Sequence, residues 1–185
     1  IALIPILLAT IAGCGQPPEE EMSAARQAVE DAANNPEVSQ YAPDSLERAQ
    51  QLLSEMETAA ENREYDSARS LAQQATDAAE EAVQDAASAK ERARDAAESA
   101  ISAASSALEE GRSALNEARD VRGIRLDFQA AGSDLEAGAE AIESARGALE
   151  NEEYSEAQTT AENARTRISD VTRRISEAVQ AASRK

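Results

Sequence analysis

From Tyr65 onward, alanines recur at alternating intervals of four and three residues: Ala68, Ala72, Ala75, Ala79, Ala82, Ala86, Ala89, Ala93, Ala96, Ala100, Ala103 and Ala107. That spacing is the seam of a left-handed coiled coil, in which every second contact falls one heptad further along. No Pro or Gly interrupts the chain from Tyr65 to Glu110. The pattern therefore predicts one continuous helix, about 85 Å long if it runs from Tyr65 to Val121 at 1.5 Å per residue. A second stripe, Ala157, Ala161, Ala164, Ile168, Val171, Ile175 and Ala178, predicts the last helix. Charged and amide side chains fill the positions between.

The two stripes belong to one repeat. YAPDSLERAQQLLSEMETAAENREYDSARSLAQQA has a partner in GSDLEAGAEAIESARGALENEEYSEAQTTAENA. Leu46 aligns with Leu135, Glu61-Asn62 with Glu150-Asn151, and Tyr154 follows Tyr65 by 89 residues. An upstream helix repeats more weakly, ARQAVEDA at Ala25 against GRSALNEA at Gly111. Self-similarity at a fixed period marks stacked helical units. The predicted fold is all-α, an elongated antiparallel helical bundle or coiled-coil-like rod built from two repeated three-helix units. The third helix of the first unit continues into the first helix of the second.

Local signals place the helix ends. Asp44 and Ser133 stand three residues before Glu47 and Glu136, the spacing of a capping box. Pro43 suits a first helical turn. Asn62 and Asn151 are read as closing the second helices in a left-handed conformation. The short turns that follow require antiparallel neighbours. Tyr65 and Tyr154 come directly after those turns and are read as hairpin locks, with the ring on the preceding helix and the hydroxyl in water. Gly123 and Gly132 bracket a break in which Ile124, Leu126 and Phe128 are expected to cover the end of the bundle.

The chain start follows another pattern. An uninterrupted apolar run from Ile1 leads into Ile11-Ala12-Gly13-Cys14, and Cys14 is the only cysteine. An apolar segment closed by small residues reads as a secretory signal peptide. A Cys directly behind them reads as a lipobox, with Ile11, Ala12 and Gly13 before the cleaved bond and the Cys14 thiol carrying the lipid. Ile1–Ala12 is too short for a transmembrane helix, which needs about 20 apolar residues. The initiator Met and basic n-region of such a signal are expected to lie upstream. Gly15, where Asp would favour inner-membrane retention, points to export to the outer membrane. Gln16-Pro17-Pro18 followed by Glu19-Glu20-Glu21 reads as a semi-rigid tether leading into a helix whose positive end the carboxylates oppose. The reading divides the chain into a signal peptide (1–13), lipidated tether (14–21), first helical unit (22–107) and second helical unit (108–185).

Composition narrows the chemistry. The 185 residues carry a net charge of −18, with no His, no Trp and one Phe. Alanine makes up roughly a quarter of the chain, which favours long helices over a large aliphatic core. An acidic surface argues against nucleic acid, whose phosphates need clustered Lys or Arg. Without His, the commonest general base and metal ligand is missing. No phosphate-binding glycine loop or nucleophile elbow is present. Adjacent carboxylates such as Glu80/Glu81 and Glu152/Glu153 do not face each other on a helix and read as solvated surface. No catalytic residue, metal site, cofactor or small-molecule substrate is expected.

The lipobox, the Pro-containing tether, YAPDSLERA and ENREYDSARSLA together resemble the alanine-rich helical domain of unknown function found in bacterial envelope lipoproteins. The resemblance covers roughly residues 21–90 and, more loosely, 111–180, where Ala131-Gly132-Ser133 replaces Tyr-Ala-Pro. It implies an envelope location and no established activity. Arg184-Lys185 is also similar to the end of the murein lipoprotein of enteric bacteria, where the terminal lysine amine is joined to peptidoglycan. That similarity marks Lys185 as an attachment candidate; the alternative is a basic residue opposing the negative end of the last helix.

Two binding features remain. The lipid at Cys14 would make the membrane a partner. The stripe Ala86, Ala89, Ala93, Ala96 and Ala100 is a packing seam to which no other segment is assigned, open to self-association or to a partner helix. The expected protein is an outer-membrane-anchored lipoprotein on the periplasmic side, a non-enzymatic spacer or interaction scaffold. The alternatives are an accessory subunit of an envelope machine and a covalent peptidoglycan tether.

Overall fold

The computed structural model describes residues 16–184, and they form an all-α helical bundle of six helices. These are α1 (Glu19–Ala33), α2 (Pro36–Tyr41), α3 (Pro43–Glu61), α4 (Tyr65–Ala118), α5 (Phe128–Glu150) and α6 (Tyr154–Ser183). Packing divides the chain between Ala89 and Lys90. α4 runs through this division, its first part in unit 1 and its remainder in unit 2.

Unit 1 packs α1, α3 and the start of α4 around Met22, Ala25, Val29, Ala32, Ala49, Met56, Ala72, Ala75, Ala78 and Ala79. The short α2 was not foreseen. Asn35 starts it by accepting a hydrogen bond from the Glu37 amide at 2.9 Å, and Pro36 occupies its first turn. Its Val38 is fully buried against Ala42, Ala82 and Ala86, closing the end of unit 1. Ion pairs lace the surface, Arg69 to Glu21 at 3.0 Å and Arg26 to Glu57 at 3.1 Å. All four side chains are about half exposed, so each pair contributes at most ~1 kcal/mol.

Unit 2 packs the rest of α4 with α5 and α6 around larger side chains: Ile101, Leu108, Leu115, Leu135, Ile142, Ile168, Val171 and Ile175. Ile168 is the central knob. A Cβ added to Gly138 of α5 would lie 2.6 Å from Ile168 Cγ1, and one added to Gly111 of α4 would lie 2.9 Å from both Leu135 Cδ2 and Thr172 Oγ1, with Ile168 Cγ2 at 3.5 Å. Gly138 therefore admits Ile168 from α6, and Gly111 admits Leu135 and Thr172 beside it. Ile124, Leu126 and Phe128 pack partly buried on the same cluster, covering the end of unit 2.

The repeat is legible in the backbone. α3 ends at Glu61 and α5 at Glu150, while α4 begins at Tyr65 and α6 at Tyr154. Each turn closes with the same two bonds. Glu64 N–H donates to the Ala59 carbonyl and Arg63 N–H to Ala60; Glu153 donates to Ala148 and Glu152 to Leu149. This six-to-one, five-to-two pair is the Schellman closure. Upstream, Met22, Ala25, Val29 and Ala32 are buried, and so are Leu108, Gly111, Leu115 and Ala118, the weaker repeat at its own offset.

Several local expectations need correction. The left-handed residues are Arg63 and Glu152, both at φ 63°, while Asn62 and Asn151 keep φ of −76° and −83°. The asparagines are the last near-helical residues, and the chain reverses one position later. Neither capping box forms. Ala42 precedes α3 with no side-chain cap, and Asp44 lies inside its first turn. α5 starts ahead of Ser133, because Asp127 accepts hydrogen bonds from the Gln129 and Ala130 amides at 3.1 and 2.9 Å. Gly132 is consequently inside α5, and the break is confined to residues 119–127. The division at 89/90 also precedes the 107/108 boundary read from the repeat. Ala97, Ile101 and Ala104 are already buried on α4, and the latter two belong to the second cluster.

Candidate functional site

Cys14, with Ile11, Ala12 and Gly13 before it, lies outside the described residues, and so does Lys185. The remaining candidate from sequence is the alanine seam on α4. Its first member, Ala86, is buried against α2. Ala89, Ala93, Ala96 and Ala100 are half-buried, and from Ala87 to Ala96 no residue is buried at all.

Beyond that stretch the buried face changes register. The heptad from Ala86 would continue through Ala93 and Ala100; instead the buried residues are Ala97, Ile101, Ala104, Leu108, Gly111, Leu115 and Ala118. Ala86 and Ala97 are eleven residues apart, a spacing of 3.67 per turn that inserts a stutter into the heptad. The physical reason is side-chain size. Ile101, Leu108 and Leu115 recur every seven residues. Each aliphatic side chain contributes about 1.5–3 kcal/mol when buried, against ~0.8 for an alanine methyl. Large residues therefore set the second seam. Their spacing was visible in the chain, and the denser alanine pattern masked it.

The stretch without buried residues carries ion pairs both along its own helix and to a neighbouring turn. The Arg94 guanidinium lies 3.3 Å from Asp95, 3.6 Å from Glu91 and 3.7 Å from Glu98. The hydrogen bond to Asp95, then the surrounding carboxylate charges, raise its pKa above the ordinary arginine value. Lys90 Nζ reaches Glu152 at 2.7 Å, joining α4 to the turn before α6. Tyr154 is buried and Tyr65 half-buried, each at the first position of the helix after its turn.

Among the described residues no polar or charged side chain is buried, and no group of three His, Cys, Asp or Glu is placed to hold a metal ion. Catalytic carboxylates are usually tuned by burial or by like-charge pairing. The Glu21 pKa is lowered, first by a backbone hydrogen bond at the α1 start and then by Arg69; this is the behaviour of a helix-terminal carboxylate. Shallow grooves mark both units. One in unit 1 is lined by Arg48, Leu52, Glu55, Asp77 and Glu81, and one in unit 2 by Ala114, Ala118, Val121, Ile175 and Val179. No helix of the described residues is long and apolar enough to cross a membrane.

Neither a curated protein nor a solved structure matches this chain. Residues 20–98, which hold α1, α2, α3 and the first part of α4, match the family described as Domain of unknown function (DUF4398).

Proposed function

We propose that the protein is a lipoprotein of the bacterial outer membrane, held through Cys14 on the periplasmic side, where its helical bundle serves as a non-enzymatic spacer or interaction scaffold. The observation that carries this reading is Ile11-Ala12-Gly13-Cys14 behind an apolar run, followed by a charged chain with no second cysteine. Acyl chains contribute about 0.8 kcal/mol per buried methylene, so a multiply acylated terminus anchors a polar bundle without any apolar patch. A scaffold role accords with a surface of carboxylates and paired arginines and with a core devoted to packing. The test is Cys14→Ser followed by fractionation and palmitate labelling. The variant is expected to lose the label and to appear as soluble protein or uncleaved precursor. A variant that stays with membranes at mature size would overturn the reading.

A second reading, an accessory subunit that binds a partner helix, is favoured by the half-buried stripe Ala89, Ala93 and Ala96. Small side chains there allow close backbone approach. A leucine at Ala93 is expected to weaken any such association, whereas a leucine at exposed Ala87 leaves it unchanged. Sedimentation and a pull-down from detergent-solubilised envelopes separate this reading from the plain spacer. Equal behaviour of the two variants removes it.

A further inference from the structure

Three features coincide on α4 between Ala87 and Ala96. No residue of this stretch is buried, although the helix continues without a break from Tyr65 to Ala118. The stretch holds the stutter between two heptad seams, a place where coiled-coil packing locally unwinds. Its ion pairs are made by Arg94 to residues of the same helix, with Glu91, Asp95 and Glu98 all exposed partners. Lys90, at the start of the stretch, also reaches Glu152 on the turn before α6 at 2.7 Å.

Helix stability in proteins comes mainly from tertiary burial of an apolar face, and an isolated helix shorter than about 12–15 residues is marginal in water. Ala68 to Ala86 and Ala97 to Ala118 each have such a face. The ten residues between them have only the partial burial of Ala89, Lys90, Ala93 and Ala96, alanine propensity, and the contacts of Lys90 and Arg94. Local opening free energies within one protein range from near zero up to the global value, following burial and contact density.

We propose that residues 87–96 are a compliant joint, at which α4 opens locally while the core on either side remains folded. The joint limits the cooperativity carried along α4, so that each unit unfolds as its own transition. It is a property of this stretch alone and does not depend on how the chain is anchored.

Hydrogen exchange of the full chain, read by mass spectrometry on overlapping peptides, tests this. Amides of residues 88–96 are expected to exchange at least about tenfold faster than those of 72–86 and 98–115, in keeping with sub-global opening. Ala93→Gly is expected to speed exchange in 88–96 by about fivefold, the effect of one interior glycine, and to leave 98–115 unchanged. Ala104→Gly, inside the second core, should instead speed exchange throughout 97–118. Equal protection of 88–96 and its flanks would overturn the proposal. So would an Ala93→Gly variant in which exchange rises equally in 98–115.

Discussion

Where Ile168 enters the second unit it meets Gly111 and Gly138; at the corresponding level of the first unit the repeat places Ala79, Ala25 and Ala49. One layer joins a branched side chain to two missing ones, and the other uses three methyl groups. All three alanines are buried in a single cluster, as Ile168 is in its own. The same three-helix frame is thus filled to similar volume in two ways, as close packing demands. The two fillings differ in energy and in tolerance. Unit 2 buries Ile101, Leu108, Leu115, Leu135, Ile142, Ile168 and Ile175, whereas Met22, Val29, Val38 and Met56 are the largest side chains buried in unit 1. The second core gains more from burial and depends more on shape.

The largest expected effect comes from the knob itself. Ile168→Ala should cost about 2–5 kcal/mol, because a fully buried side chain leaves a cavity between two glycines that supply nothing to fill it. The chain has no Trp, so with Tyr41 and Tyr65 replaced by Phe the Tyr154 emission during urea unfolding reports on unit 2, and with Tyr154 replaced by Phe the other two report on unit 1. The loss should appear only in the Tyr154 transition. An equal shift of both transitions would show that the two cores unfold as one.

Gly138→Ala is the next test. The added methyl would sit 2.6 Å from Ile168 Cγ1, and overpacking of this kind costs about 1–3 kcal/mol, partly offset by the helix propensity of alanine. Combined with Ile168→Ala it should restore stability relative to Ile168→Ala alone, since the pair approaches the alanine layer of unit 1. Strict additivity in that double-mutant cycle would remove the volume argument. At Gly147 no atom lies within 4 Å of an added Cβ, so Gly147→Ala should stabilise unit 2 by up to about 1 kcal/mol.

Helix starts give a smaller contrast. Asp127→Ala should destabilise α5 by about 1 kcal/mol, since it removes an acceptor used by two amides. Asp44→Ala should change unit 1 little, because that side chain caps nothing. A loss at Asp44 equal to the loss at Asp127 would contradict the assigned helix start.

The smallest effects lie in the turns. Arg63 holds φ 63° without the freedom of glycine, and Arg63→Gly should stabilise unit 1 by a few tenths to about 1 kcal/mol. Glu152→Gly should gain less, because it also removes the pair with Lys90. A melting temperature for Arg63→Gly below that of the unaltered chain would refute strain at this turn.

Periodicity, propensity and turn chemistry are local properties, and they were sufficient for the all-α class, the long α4, the 89-residue repeat and the two hairpins at Tyr65 and Tyr154. The class, the long helix and the hairpins rest on residues a few positions apart, and the repeat on comparing two such local patterns. The candidate site was legible only as a pattern of alanines. Ala86 is buried, but the seam beyond it is displaced by the larger aliphatics, and no local rule ranks an alanine stripe against Ile101, Leu108 and Leu115 until both compete for one neighbour. The cap at Asp127 was likewise outside local reach. Ser133 offered an equally good motif, and starting at Asp127 instead brings Phe128 and Ala131, which pack on the second cluster, into the helix. The glycines at 111 and 138 read as weak points in a helix until Ile168, from a third helix, is set against them. Sequence thus determined which segments coil and how they recur, since those follow from backbone hydrogen bonding and side-chain spacing. Only the tertiary structure decided which face of α4 is inside beyond Ala86 and which helix fills each layer, because that depends on volumes contributed by three helices at once.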